Sequence, residues 1–351
     1  MYKKLKNTLL LFCLFISILF TQNSIQFSAN ILENTVEDNV EKRIFRENVI
    51  IKKDNMLLLS NEAIYIPSLG EVTLNQNVQM YDNLDSLKCN SLILYDGDYK
   101  KFIAQDEVSF FKDSQIIKSD FLEYSENQSN NSVKINLFEN AKIIDSMRVV
   151  SGDSIYINYS NSKITDIQVI ANAEVINSRF AKYNKNKKYQ EFQDHISSKK
   201  MSINFDGGNI KEMILEGMAS TKFNVIEDTL ITGLSTSSGD SIYININNDV
   251  ITRMQMFGGV EGAFKPELEN SKIESAVNYK ANHIDYQMDN EQSYLYENAN
   301  LIYDANELNA EEIFIDWNND ILEARISDSV LPSINGFGEN QSGFYKFYQE
   351  E

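Results

Sequence analysis

Hydrophobic and polar residues alternate with a period of two along most of this chain, the pattern of strands that bury one face. Ser119-Asp120-Phe121-Leu122-Glu123-Tyr124 and Asn77-Val78-Gln79-Met80 are representative. Turn chemistry punctuates the runs, as at Asp96-Gly97-Asp98 and Asp206-Gly207-Gly208-Asn209. No long segment carries a helical period; the Arg179 to His195 stretch alone is compatible with a turn of helix.

The alternation is organised into repeats. One mark begins with a small residue, then alternates towards Tyr or an aliphatic residue. It starts at Ser60, Cys89, Ser119, Ser151, Ser198, Ser238, Ala281 and Ala310. A second mark falls between copies of the first: Asn48-Val49, Asn77-Val78, Glu107-Val108, Asn140-Ala141, Asn172-Ala173, Gly217-Met218, Gly259-Val260 and Asn298-Ala299. The step from the first mark to the second stays nearly constant, whereas the return step lengthens between 172 and 198, 217 and 238, and 259 and 281. Insertions confined to one connection predict longer loops on one flank of the second half.

Side-chain parity assigns the faces. The fourth and sixth positions of the first mark are mainly apolar. They nominate Tyr65, Leu92, Leu94, Leu122, Tyr124, Tyr156, Met201, Ile203, Tyr243, Ile284, Tyr286, Ile313 and Ile315 as residues lining an interior. The third and fifth positions carry Glu62, Glu123, Asp153, Asp240, Asp285 and Glu312, an outward, wetter face. Val49, Val78 and Val108 share parity with Ile51, Met80 and Phe110, so the second mark also turns an apolar face inward.

The octapeptide Ser-Gly-Asp-Ser-Ile-Tyr-Ile-Asn occurs twice, from Ser151 and from Ser238, and resembles the block around the nucleophile of one class of esterases. A nucleophilic serine needs an oriented base, and the chain has 2 histidines, His195 and His283, neither in the Asp-x-x-His arrangement of that class. Ser154 and Ser241 also fall where other repeats carry core residues. The octapeptide reads as part of the repeat, and no enzymatic activity is expected. The sequence offers no Cys/His zinc pattern, Walker loop or Gly-rich nucleotide turn, so neither metal nor cofactor is expected. Lys182, Lys185, Lys187, Lys188, Lys199 and Lys200 form one basic cluster, read as a solvated loop or a contact for lipid phosphates or an acidic partner.

Composition sharpens this picture. A net charge of −19 argues against a nucleic-acid partner, because a phosphate backbone needs Lys and Arg to displace its counterions. With 18 Tyr, 20 Phe and only 3 Pro, extended structure is favoured. Lys3, Lys4 and Lys6 precede an apolar run from Thr8 to Phe20, the layout of a secretory signal over residues 1–29 or of a short uncleaved anchor. Cys89 is read as a small packed residue, and without Cys13 it has no disulfide partner.

A recurring Asn-Val, then Ala/Ser-Asp-x-Leu-x-Tyr, behind a secretion signal resembles the OstA-like family, to which the lipopolysaccharide-transport protein LptA belongs. Ser119 to Tyr124 and Asn77-Val78 carry the resemblance best, and it covers about Arg43 to Ile326, a repeat domain placed at 43–326 with a C-terminal tail at 327–351. The resemblance implies an all-β, elongated open β-jelly-roll, or taco, of about eight repeats. It implies a periplasmic bridge for lipopolysaccharide, towards and in association with the outer membrane, with acyl chains in the apolar groove. Implied partners are an inner-membrane complex, an outer-membrane barrel and further copies arranged head to tail. The alternative is a structural or adhesive β-solenoid with a closed core and no lipid. The chain departs from the family in its length and later insertions, which leaves bridge, anchored component and accessory protein open.

Overall fold

A computed structural model describes residues 25–348 except 54, 96–99, 128, 249, 272, 320, 326–330 and 336–345. Residues 1–24 of the expected signal segment lie outside the described residues, as do the Asp96-Gly97-Asp98 turn and most of the 327–351 tail. Residues 25–29 of that segment are described and include the strand Gln26–Ser28, paired with Ile50–Lys52. Among the described residues no helix is long and apolar enough to cross a membrane.

The chain divides into two compact units, one running to Asp98 and including Phe102–Asp113, the other comprising Tyr99–Lys101 and Ser114–Glu351. The first contains β1 (Gln26–Ser28), β2 (Ile31–Glu37), β3 (Val40–Lys53), β4 (Met56–Ile66), β5 (Glu71–Asp82), β6 (Asp85–Tyr95) and β7 (Lys100–Lys112) from Phe102 onward. The second contains β8 (Gln115–Asn127), β9 (Ser132–Ile144), β10 (Arg148–Ser160), β11 (Lys163–Ala181), β12 (Gln190–Asp206) and β13 (Asn209–Glu227). It continues with β14 (Leu230–Asn247), β15 (Val250–Pro266), β16 (Val277–Gln287), β17 (Gln292–Tyr303), β18 (Asn306–Asp316) and β19 (Ile321–Arg325), then the short β20 (Ser333–Asn335) and β21 (Lys346–Tyr348). The fold is all-β. From β8 to β19 each strand pairs antiparallel with the next in sequence. Many reversals are two-residue turns. Asp38-Asn39, Asn161-Ser162 and Asp228-Thr229 hold both residues at positive φ, the turn whose twist matches the strands it joins.

Every long strand pair is also bent in the middle, and the two sequence marks meet at that bend. Eight consecutive pairs of residues adopt left-handed backbone: Glu47-Asn48, Gln76-Asn77, Asp106-Glu107, Glu139-Asn140, Ala171-Asn172, Gly217-Met218, Gly258-Gly259 and Glu297-Asn298. Asn and Gly dominate the second position because they tolerate φ > 0 at least cost. In β3 the residues Glu47 and Asn48 face the single residue Asn61 of β4, a bulge that folds the ladder into two walls.

The small residue of the first mark sits across that bend. Ser60 pairs with Val49, Cys89 with Val78, Ser198 with Ala173, Ala281 with Val260 and Ala310 with Ala299. Ser60 Oγ donates to the Glu62 carbonyl at 2.9 Å and Ser198 Oγ to the Lys200 carbonyl at 2.8 Å, satisfying acceptors that the bulge removes from the ladder. The corner Asn closes the motif: Asn140 Nδ2 donates to Asp120 at 2.6 Å, and Asn172 Nδ2 to Asp153 at 3.0 Å. The Asn-Val and Ser-Asp-x-Leu signatures are thus the two halves of one corner.

Three expectations need correction. In the octapeptide copies the corner residues are Gly152, opposite Ala141, and Gly239, opposite Ala219, not Ser151 and Ser238. A Cβ on Gly152 would collide with Val169 Cγ1, and one on Gly239 would come within 2.9 Å of the Phe257 carbonyl. For the same reason the sixth corner reads Met218-Ala219 rather than Gly217-Met218. Finally, the Arg179 to His195 stretch forms no helix: β11 runs to Ala181, turn residues follow, and β12 begins at Gln190.

Candidate lipid-binding interior

Beyond the bend, alternate side chains of successive strands meet in register and build continuous rows. In the second unit one row runs Leu122, Leu137, Ile155, Val169, Met201, Leu215, Ile242, Met256, Ile284, Leu295, Ile313 and Ala324. At about 4.8 Å per strand it extends roughly 50 Å. The adjacent row runs Tyr124, Ile135, Ile157, Ile167, Ile203, Met213, Ile244, Met254, Tyr286, Ser293, Ile315 and Leu322. The first unit contains the equivalent short rows Ala63–Leu74–Leu92 and Tyr65–Val72–Leu94. Within the second unit each strand from β8 to β19 therefore adds one residue to each row.

Of the residues that parity nominated, Leu92, Leu94, Leu122, Tyr124, Met201, Ile203, Ile284, Ile313 and Ile315 are buried in these rows. Tyr286 and Tyr65 belong to them with part of the ring exposed, Tyr65 stacked on Phe27 at 5.1 Å. Tyr156 and Tyr243 do not. The one-residue shift at Gly152 and Gly239 turns Ile155, Ile157, Ile242 and Ile244 inward and sends both tyrosines to the opposite face. Sequence reasoning missed those four isoleucines because it aligned the octapeptide on its serine. The collision that a side chain at Gly152 would cause was the missing signal.

The interior is tightly closed. Ala63, Leu92, Leu122, Ile155, Met201, Ile242, Ile284 and Ile313, the fourth residue of each repeat, are all 0% exposed. The two walls touch at Tyr279 and Tyr286, whose rings meet edge to face at 5.9 Å, and Tyr279 OH shares a hydrogen bond of 2.8 Å with Ser237 Oγ. Burial raises the pKa of both phenols, keeping them neutral. Cys89 is buried at a corner, and burial pushes its thiol up to about 12, so it packs as a small apolar residue.

The opposite face of β14–β18 is built differently. Phe257 stacks on His283 at 4.3 Å and His283 on Tyr296 at 5.1 Å, while Tyr294 packs tilted against Phe314 at 4.8 Å. Asp285, expected to be wet, is 4% exposed and held by Arg253 through bonds of 2.8 and 2.7 Å. Desolvation raises the Asp285 pKa, but the bonds from Arg253 and Gln287 and the charges of Arg253 and His283 together outweigh it, and the carboxyl lies below its usual value. Burial lowers the pKa of His283, and its Nε2 has no hydrogen-bond partner. Ser241 shares this row with His283, but Phe257 pairs with both and lies between them, so serine and imidazole form no nucleophile–base pair. Ser154 faces Phe138 and Ile170. Among the described residues no group of three or more His, Cys, Asp or Glu is placed to hold a metal.

Known proteins provide an external comparison. No curated protein matches the chain. Among solved structures it is similar to LptH of Pseudomonas aeruginosa, described as the LptA-homologous periplasmic component of the conserved lipopolysaccharide transport device. The likeness is at 14% identity and a TM-score of 0.31, over 42% of this chain and 95% of that one. The model of the OstA-like protein family matches residues 23–180, a segment that includes the first unit and the corners at Asn140 and Asn172. The matched segment is less than half of the chain, and over it the chain is similar to the OstA-like protein family.

Proposed function

We propose that this protein carries the acyl chains of lipopolysaccharide between its two walls, as a periplasmic element of the route towards the outer membrane. The observation that carries the reading is the pair of unbroken apolar rows in a chain with an OstA-like segment. Leaving an acyl chain in water costs about 0.8 kcal/mol per CH₂, so a twelve-carbon chain costs on the order of 10 kcal/mol. Carriage across an aqueous space therefore requires shielding with no gap, and rows extended by one residue per strand supply it. No covalent step is involved. The contact set is Tyr65, Leu92, Leu94, Leu122, Tyr124, Met201, Ile203, Ile284, Tyr286, Ile313 and Ile315; Tyr156 and Tyr243 leave it because they face away. An inner-membrane complex, an outer-membrane barrel and further copies joined head to tail are the partners this role calls for.

On this reading acyl chains enter the closed interior by parting its walls, displacing contacts such as Tyr279–Tyr286. The same closure favours a second reading, a scaffold with a dry core and no cargo. A photocrosslinking residue at Leu122 or Tyr124, compared with one at Tyr156, separates the two. Lipid carriage predicts lipopolysaccharide adducts at the first two sites and not at the third. No adduct at any site would favour the scaffold, and adducts at Tyr156 alone would put lipid on the outer face and overturn carriage in the interior.

A further inference from the structure

The insertions lengthen strands as well as loops. The β13–β14 reversal is the two-residue turn Asp228-Thr229, not the longer loop expected, while longer connections follow β11 and β15. All three meet on one flank of the second unit. Lys182 N–H donates to the Thr229 carbonyl at 2.9 Å, and Ile231 N–H to the Lys182 carbonyl at 3.0 Å. Glu267 N–H reaches the Thr232 carbonyl at 2.8 Å, and Asn270 Nδ2 the Ile231 carbonyl at 2.8 Å. The β11–β12 connection is thereby fixed to its neighbours as a platform. It presents Lys185, Lys187 and Lys188, all exposed and with no ion pair among the described residues. Interleaved with them are exposed aromatic rings, Phe180 at 56%, Tyr183 at 45% and Tyr189 at 53%, with Leu268 at 72% on the adjoining loop. Lys182 Nζ lies 4.6 Å from the Tyr189 ring centroid. Carboxylates share the flank: Asn184 Nδ2 donates to Glu269 at 3.1 Å, and Glu191, Glu227, Asp228 and Glu267 lie on the same connections.

We propose that this flank docks on an anionic lipid surface. The chemistry fits on two counts. Ammonium groups without protein partners are free to meet lipid phosphates, and Tyr and Phe side chains lodge at the headgroup level. The protein as a whole carries −19, so approach to an anionic bilayer is favoured where exposed lysines are concentrated, as they are at Lys185, Lys187 and Lys188. The rings are spaced among charges rather than gathered into one apolar patch, which suits a headgroup layer better than the packed centre of a protein interface. The inference involves neither the interior rows nor lipid cargo, and it stands if the carriage reading fails.

The test is flotation of the full chain with vesicles of phosphatidylcholine alone and of phosphatidylcholine with about a third phosphatidylglycerol. Lys3, Lys4 and Lys6 beside the N-terminal apolar segment favour anionic vesicles too, so the flank is read from the change in the ratio between the wild-type protein and variants of the flank. We expect a clear preference for the anionic vesicles that collapses at high salt. Each lysine is worth about fivefold in partitioning, so the triple variant K185Q/K187Q/K188Q should lower the preference roughly a hundredfold with an unchanged unfolding midpoint. Phe180→Ser with Tyr189→Ser should weaken binding and leave its salt dependence in place. Equal binding to both vesicles by the wild-type protein, an unchanged preference in the triple variant, or capture of an acidic protein in place of vesicles would overturn the proposal.

Discussion

The two faces of β14–β18 are made of alternate residues of the same strands, yet they are held by different forces. The inner row Ile242, Met256, Ile284, Leu295 and Ile313 is aliphatic and essentially without exposed surface. The outer row places Ser241, Phe257, His283, Tyr296 and Glu312 in register on the other side of the same ladder. Inside, stability comes from removing apolar surface from water and filling volume. Outside, it comes from ring stacking and from an Asp285–Arg253 pair at the edge of solvent. Substitutions that are alike in size should therefore have very different costs on the two faces, and that contrast can be broken or sharpened by experiment.

The largest effect is expected from Leu122→Ala, which removes a 0% exposed side chain from the middle of the inner row. It should cost about 2–5 kcal/mol, the range for buried leucine truncations. Tyr156→Ala, on the outer face beside Phe138 at 5.8 Å, should cost no more than about 1.5 kcal/mol, mostly lost ring contact. Urea unfolding of the two variants measures the difference. Equal costs would mean that the inner row is not the dry one.

Next comes the corner. Gly259 has φ 60° and nothing within 4 Å of where a Cβ would stand. Gly259→Val therefore adds no clash and isolates the backbone term. It should cost about 1–2 kcal/mol, the penalty for a β-branched residue in left-handed conformation. Gly152→Val, at a site where any Cβ meets Val169, should cost more than this although Gly152 is not at positive φ. Thermal unfolding of the pair tests whether the corner glycines serve conformation at one site and space at the other.

These corners also explain what the sequence could and could not reveal. The period-two alternation and the Asn-Val mark were legible because Asn140 and Asn172 do two jobs at once: left-handed backbone and a hydrogen bond to an acid on the neighbouring strand. Burial was legible wherever a repeat kept Ser, Cys or Ala at the bend. It was misread by one residue where Gly took that place, because a glycine next to a serine offers two candidates for the small position. A one-residue slip exchanges the faces completely, which is how Tyr156 and Tyr243 came to be expected inside. The bend itself leaves no hydropathy signal: in β5, residues on both sides of Gln76-Asn77 bury the same parity, and only the left-handed pair reveals the corner. The burial of Asp285 was illegible for another reason, since its partner Arg253 comes from a different repeat.

That pair gives the third prediction. The Asp285 carboxyl is held below its usual value because Arg253, with help from Gln287 and His283, outweighs the desolvation that would raise it. A carboxylate with a lowered pKa contributes stability above its unfolded pKa, near 3.9, and loses it as pH falls towards the folded value. Asp285→Asn should cost about 1 kcal/mol at pH 7, a modest figure because the Arg253 guanidinium is 42% exposed and screened by water. The variant should also lose this part of the acid dependence, so the wild-type and variant stability curves should converge below pH 4. Parallel curves throughout would show that the pair contributes no proton-linked stability.

The smallest effect belongs to His283. Desolvation between Phe257 and Tyr296 lowers its pKa, against the opposing pull of Asp285 and Glu297. The neutral imidazole is thus the form the fold accepts. Above the unfolded value of about 6.5 both states are neutral and nothing is lost; below it the unfolded chain takes up the proton first, and stability declines as pH falls towards the folded pKa. This window lies above that of Asp285, so the two can be told apart in one titration. His283→Phe keeps the stack and removes the proton, and it should flatten the curve just below pH 6.5 while leaving the limb below pH 4 intact. It also removes the unpartnered Nε2, so the variant should be no less stable than wild type at pH 7. A loss of stability there would mean that the imidazole nitrogen makes a bond to water that the stack depends on, and the outer face would then be held by more than its rings.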